Sequence, residues 1–162
     1  MGYLTSGASP VAVHLALDRV PEMAREMTGA RYAALVVLNE KRTEPEQFWT
    51  AGIDEDTRRA IGHPPRGRGV LGELILEPHP LRLADVPQHV SSYGFPPGHP
   101  VMRSFLGVPI MIRRQAWGSL HLAEKDAGEF TEADEELAVA IAELAANTIS
   151  FERRSHGKAA VE

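Results

Sequence analysis

The chain contains no cysteine, and that one absence removes several chemistries together. It excludes disulfides, thiolate metal sites, a cysteine nucleophile and a thioether-linked chromophore. Long apolar runs are missing too. The longest lie near residues 33–38 and 108–112, far short of the ~20 residues of a membrane-spanning helix. The N-terminus lacks the charged-then-apolar layout of a signal peptide. Positive charge is not in excess: 17 Lys and Arg stand against 22 Asp and Glu, a net charge of −5. Apart from the pairs Arg58-Arg59, Arg113-Arg114 and Arg153-Arg154, the arginines are scattered, so no basic stripe invites a nucleic acid. The expectation is a cytoplasmic protein whose partners include neither nucleic acid nor membrane.

Catalytic signatures are absent as well. There is no Gly-x-Ser-x-Gly elbow and no His-Glu-x-x-His metal motif. The glycine-rich turn at residues 67–72 is not followed by Lys-Ser or Lys-Thr, so it is no Walker-type phosphate loop. The chain is therefore expected not to be an enzyme.

What remains is ordinary globular material: 162 residues, 43% hydrophobic and 24% charged, enough for one domain with a sizeable core. Residues 1–9 read as an extension, 10–152 as one domain and 153–162 as a flexible polar tail. From Pro10, apolar residues recur at Val13, Leu17, Val20, Met23, Ala24 and Met27, which is helical spacing. Pro21 predicts a kink or two helical pieces, and Gly29 ends the stretch. Residues 32–38 read as a buried strand and 47–51 as its antiparallel neighbour. Asp54 caps a short helix through Ile61, residues 63–69 form a loop, 70–76 a short helix, and 81–83 a short strand.

Residues 87–100 hold four prolines, two glycines and two histidines, a long irregular connection of the kind that often carries function. Residues 105–112 and 117–123 read as a hairpin about a turn at 113–115. Thr131 opens a last helix, with Asp134 in a capping-box position. Leu137, Ile141, Leu144, Thr148 and Phe151 share one of its faces. The order predicts an α+β sandwich. Its central antiparallel sheet of five or six strands carries both terminal helices on one face and a pocket beneath loops on the other.

Several phrases resemble GAF domains: Gly29-Ala30-Arg31-Tyr32-Ala33-Ala34-Leu35, Gly67-Arg68-Gly69-Val70-Leu71-Gly72, and Phe105-Leu106-Gly107-Val108-Pro109 followed by Trp117-Gly118-Ser119-Leu120. Lys125, Phe130, Asp134 and Glu135 match four of five positions of a motif common in cyclic-nucleotide-binding GAF domains. The fifth, normally asparagine, is Glu124. The run Gly94-Phe95-Pro96-Pro97-Gly98-His99-Pro100-Val101-Met102-Arg103-Ser104-Phe105-Leu106-Gly107 is similar to the haem-binding first GAF domain of mycobacterial DevS/DosT-type dormancy-sensor histidine kinases.

This resemblance implies haem b as cofactor and His99 as proximal ligand of its iron. It also implies a diatomic gas ligand (oxygen, nitric oxide or carbon monoxide) or a redox signal, and a kinase or other output partner. The family's distal tyrosine position is His121 here, a departure that makes His121 the distal candidate. Strand alternation puts Trp117, Ser119, His121 and Ala123 on one face, with Leu120 and Leu122 packing on the terminal helices.

Met102, Phe105, Trp117 and Leu106 are candidates to line an apolar slot, and Arg66 and Arg68 to meet an anion. Each also has a plainer reading, as core or solvated loop. His89 is the reserve ligand; His14, His63, His79 and His156 are spaced like no metal site. Two other functions stay open: a haem-free module for a cyclic nucleotide or other small ligand, and a ligand-free dimerisation module. The amphipathic terminal helices predict a homodimer. Lack of cysteine excludes the family's bilin-attaching branch and its free-methionine-sulfoxide reductases.

Overall fold

The computed structural model describes residues 10–61, 69–88 and 98–159, with side chains described for residues 17–60, 71–87 and 98–157. Helix α1 (Pro10–Thr28) leads into strand β1 (Ala30–Leu38), which pairs antiparallel with β2 (Pro45–Ala51). Helices α2 (Glu55–Ile61) and α3 (Gly69–Leu76) follow, then the three-residue strand β3 (Leu81–Leu83) and a 3-10 turn at Val86–Gln88. Strands β4 (Phe105–Ile112) and β5 (Gln115–Lys125) form the hairpin, and α4 (Glu132–Ala159) closes the chain. The five strands make one antiparallel sheet in the order β2-β1-β5-β4-β3.

Local chemistry explains most boundaries. Asp54 caps α2: its carboxylate accepts the Thr57 N–H at 2.7 Å and the Thr57 hydroxyl at 2.9 Å. Thr131 and Asp134 cap α4 reciprocally, the Asp134 N–H reaching the Thr131 hydroxyl at 3.2 Å and the Thr131 N–H reaching the Asp134 carboxylate at 2.8 Å. Arg113 and Arg114 both have positive φ, 50° and 65°, as a two-residue turn between right-twisted strands requires. Pro21 does not divide α1. The helix is continuous from Pro10 to Thr28 and the proline is fully buried.

Alternation along the strands sorts the sheet into two faces. Ala33, Leu35 and Val37 of β1, Leu120 and Leu122 of β5, and Leu106, Val108 and Ile110 of β4 pack with α1 and α4 in the main core. The sheet-facing stripe of α4 differs from the one its sequence suggests. Ala138, Ile141, Ala142, Ala145, Ala146 and Ile149 are buried, whereas Leu144 is 56% and Phe151 37% exposed. Four alanines let the helix sit close on the sheet, which turns the larger side chains outward. The polar end of α4 also stays helical through Ala159 where a tail from Arg153 is expected. Arg153 donates to the Leu38 carbonyl and lies 4.4 Å from the Trp117 ring.

At the outer edge, β3 pairs only with residues 105–107 of β4. Beyond that, among the described residues, β4 presents an open edge on which Pro109 offers no N–H, a feature that discourages strand addition.

Candidate functional site

The sheet face turned away from α1 and α4 is built around His121. Its direct cross-strand neighbours are Ala34 on β1 and Gly107 on β4, the two smallest flanking choices available. Ser119, two residues back on the same face, hydrogen bonds through its hydroxyl to His121 Nε2 at 2.7 Å. Phe105 packs beside the imidazole, ring centroids 6.0 Å apart and planes tilted by 36°. Over this surface lies α3. A Cβ on Gly107 would stand 2.6 Å from Leu74 Cδ1 and 2.8 Å from the Phe105 ring. Glycine gives α3 room to approach this closely. Leu74, Val86 and Phe105 form a second apolar cluster, flanked by Leu71, Leu81 and Leu83.

The electrostatics follow from that wall. His121 is only 8% exposed, and burial pushes its pKa down to about 4. A charged imidazole would have to leave water with no carboxylate to offset the cost, so the ring is neutral near pH 7. Among the described residues, the face thus offers one uncharged imidazole and one hydroxyl in apolar surroundings.

His99 stands in the turn that returns to β4. Gly98 before it has φ +80°, and a Cβ there would lie 3.2 Å from Ala60 Cβ, so this turn abuts the end of α2. His99 is half-buried, and its Nδ1 donates to the Pro100 carbonyl at 2.7 Å. That bond sets the tautomer of the neutral ring: the proton sits on Nδ1 and the lone pair on Nε2. Met102, three residues on, is buried.

The structure therefore brings His121 and Phe105 together and sends other candidates elsewhere. Leu106 faces the terminal helices in the main core. A register shift between Ile110 and Met111 pairs Met111 with Ala116. This bulge interrupts the alternation at Trp117, whose ring has the guanidinium of Arg153 over it at 4.4 Å and that of Arg42 at 5.7 Å. His89, Arg66 and Arg68 lie outside the described residues. Leu74 and Val86 were not signalled by the sequence, because their elements are too short for a period to show which side they bury. Among the described residues, no group of three or more His, Asp or Glu could hold a bare metal ion, and no helix is long and apolar enough to cross a membrane.

The fold has many solved counterparts. The GAF domain of a phosphoenolpyruvate-protein phosphotransferase from Coxiella burnetii superposes with a TM-score of 0.77 at 24% identity, covering 90% of this chain and 86% of that one. A free methionine-R-sulfoxide reductase from Neisseria meningitidis, solved with its substrate, gives 0.69 at 18% identity over 90% and 86%. A domain assigned to a two-component sensor histidine kinase from Sinorhizobium meliloti gives 0.63 at 14% identity over 91% and 96%. Enzymes and signalling proteins thus share this architecture, and the fold alone does not separate them. The GAF domain family model matches residues 13–150, most of the chain, which therefore belongs to the GAF domain family.

Proposed function

We propose that this chain is the sensing domain of a signalling protein and that it takes haem b as its cofactor. The observation that carries this reading is the His99 tautomer: Nδ1–H held by the Pro100 carbonyl makes Nε2 the basic nitrogen, the form in which a histidine serves a metal. His99 would supply the axial nitrogen, and Phe105, Leu74 and Met102 the apolar surroundings. When bound, haem supplies reversible capture of a diatomic gas or a change of iron valence. His121 Nε2 is engaged by Ser119, so this residue acts as the distal polar group, not as a second axial ligand.

Haem titration of the purified protein is expected to give a Soret band that saturates at one haem per chain. His99→Ala should lose stoichiometric uptake while its far-UV spectrum stays native. His121→Ala should keep the haem and change only gas affinity and autoxidation. Full uptake by His99→Ala with an unchanged spectrum would overturn the assignment. One observation favours a competing reading: Leu74 and Phe105 fill the space over Gly107, which suits a haem-free module for a smaller ligand. A folded protein with no Soret band selects that alternative.

Output is assigned to the terminal helices. Ala140, Leu144, Asn147 and Phe151 recur at spacings of three and four along the outer side of α4, and all four are exposed. Such a stripe suits pairing with a second copy. The wild type should sediment as a homodimer at tens of micromolar and Leu144→Glu as a monomer. A monomeric wild type rejects the assignment.

A further inference from the structure

The hydrogen bonds at the base of the site run in an unbroken series to the first turn of α4. Asp85, just after β3, accepts from Arg103 Nη1 at 3.0 Å, and the Val86 N–H donates to the Arg103 carbonyl at 2.9 Å. These two contacts pin together the ends of the segment between residues 86 and 103. The Arg103 N–H in turn donates to the Glu124 carboxylate. Glu124 has φ +57° near the end of β5. In that left-handed conformation its own N–H meets the Ser104 carbonyl at 2.9 Å, and the following Lys125 N–H meets the Ser104 hydroxyl at 3.0 Å. The Lys125 ammonium then pairs with Asp134, both side chains being largely buried. Asp134 is the residue that caps α4. A second link runs in parallel, from Arg82 on β3 to Glu135 at 2.7 Å. The Asp126 N–H also reaches the Gly29 carbonyl at 3.0 Å, where α1 ends.

We infer that Glu124 is a positioning residue in a coupling device. Through Arg103 on one side and Lys125 and Asp134 on the other, it ties the ends of the 86–103 segment to the N-terminus of α4. The geometry suits that role. The Glu124 carboxylate holds the segment end while its backbone fixes where Lys125 emerges. The left-handed backbone holds only while both sets of bonds are made. Movement at Arg103 therefore reaches Lys125 at the end of β5, and through its pair with Asp134 the cap of α4. The inference holds whatever ligand the site takes. The identity of that ligand and the coupling can fail separately.

Amide hydrogen exchange on the ligand-free full chain tests it. Glu124→Ala removes the acceptor for the Arg103 N–H, whereas Glu124→Gln keeps an acceptor oxygen of the same length. Glu124→Ala should raise exchange about fivefold or more both at residues 86–88 and at residues 132–136, with β2 unaffected. Glu124→Gln should restore both regions together. Asp85→Asn and Asp134→Asn, which share no partner among the described contacts, should be non-additive by about fivefold in the unfolding constant, beyond what independent sites show. Changes confined to residues 103–104 and 124, or a strictly additive pair, would overturn the proposal. A fivefold rise that includes β2 would also overturn it, by showing general loosening.

Discussion

Lowering the pH from 7 to 4 is expected to cost the folded protein about 3 kcal/mol through His121 alone. The size follows from the displacement of its pKa, from 6.5 to about 4, caused by burial. Each unit is worth about 1.4 kcal/mol. Because the folded value is the lower one, the unfolded chain binds the proton first as the pH falls. Stability is fully present above about pH 6.5, declines between there and about pH 4, and is level below. Urea unfolding at intervals of half a pH unit measures it. His121→Gln keeps a polar partner for Ser119 and does not titrate. The wild type minus this variant should therefore show a one-proton slope in that window, and parallel curves would reject the buried, neutral assignment.

Acid groups cancel in that difference, because both proteins carry them. Burial raises the pKa of Asp134, but the Lys125 hydrogen bond and the Thr131 N–H and hydroxyl outweigh it, so the net shift is downward. A depressed carboxylate contributes fully above its ordinary value near 4, and that contribution declines as pH falls from there through its folded value.

Much of this fold is legible in the sequence because the decisive signals are local. Asp54 and Thr131 announce two helix starts, and period-two alternation on β5 places Leu120 and Leu122 on one face with Ser119 and His121 on the other. The misreadings have physical causes. Counting large apolar residues on α4 picks out Leu144 and Phe151, but alanines make the closest helix–sheet contact and leave those two outside. Alternation fails at Trp117 because a bulge adds a residue to β5. At Glu124, where related motifs carry asparagine, the backbone is left-handed, a conformation asparagine enters more readily than glutamate. His121 could be placed on its face by counting. Its bond to Ser119 and the cover supplied by Leu74 depend on how distant elements pack, which no spacing encodes.

Gly118→Ala is expected to be the most damaging single methyl addition in the sheet, at about 3 kcal/mol or more. Gly118 sits where β5 passes between β1 and β4, paired with Val37 and with Ile110. A Cβ there would lie 2.1 Å from the Val36 carbonyl oxygen and 3.3 Å from Ile110 Cδ1. The near atom belongs to backbone, so no side chain can rotate away. Relief requires β1 and β5 to separate, which costs ladder hydrogen bonds in the middle of the sheet. Gly107→Ala is the informative contrast. Its Cβ would meet Leu74 Cδ1 and the Phe105 ring, side-chain atoms that can yield at about 1–2 kcal/mol. The two substitutions add the same atom to adjacent strands, so the difference isolates what the atom meets. They should also diverge in fluorescence. Separating β5 from β1 beside Gly118 disturbs the neighbouring Trp117 and its stack on Arg153, whereas Gly107→Ala displaces α3 on the His121 side. Urea midpoints and tryptophan emission of the two variants decide the matter. Equal midpoints, or a Gly118→Ala protein within about 1 kcal/mol of wild type, would mean that β5 does not approach Val36 as closely as this register requires.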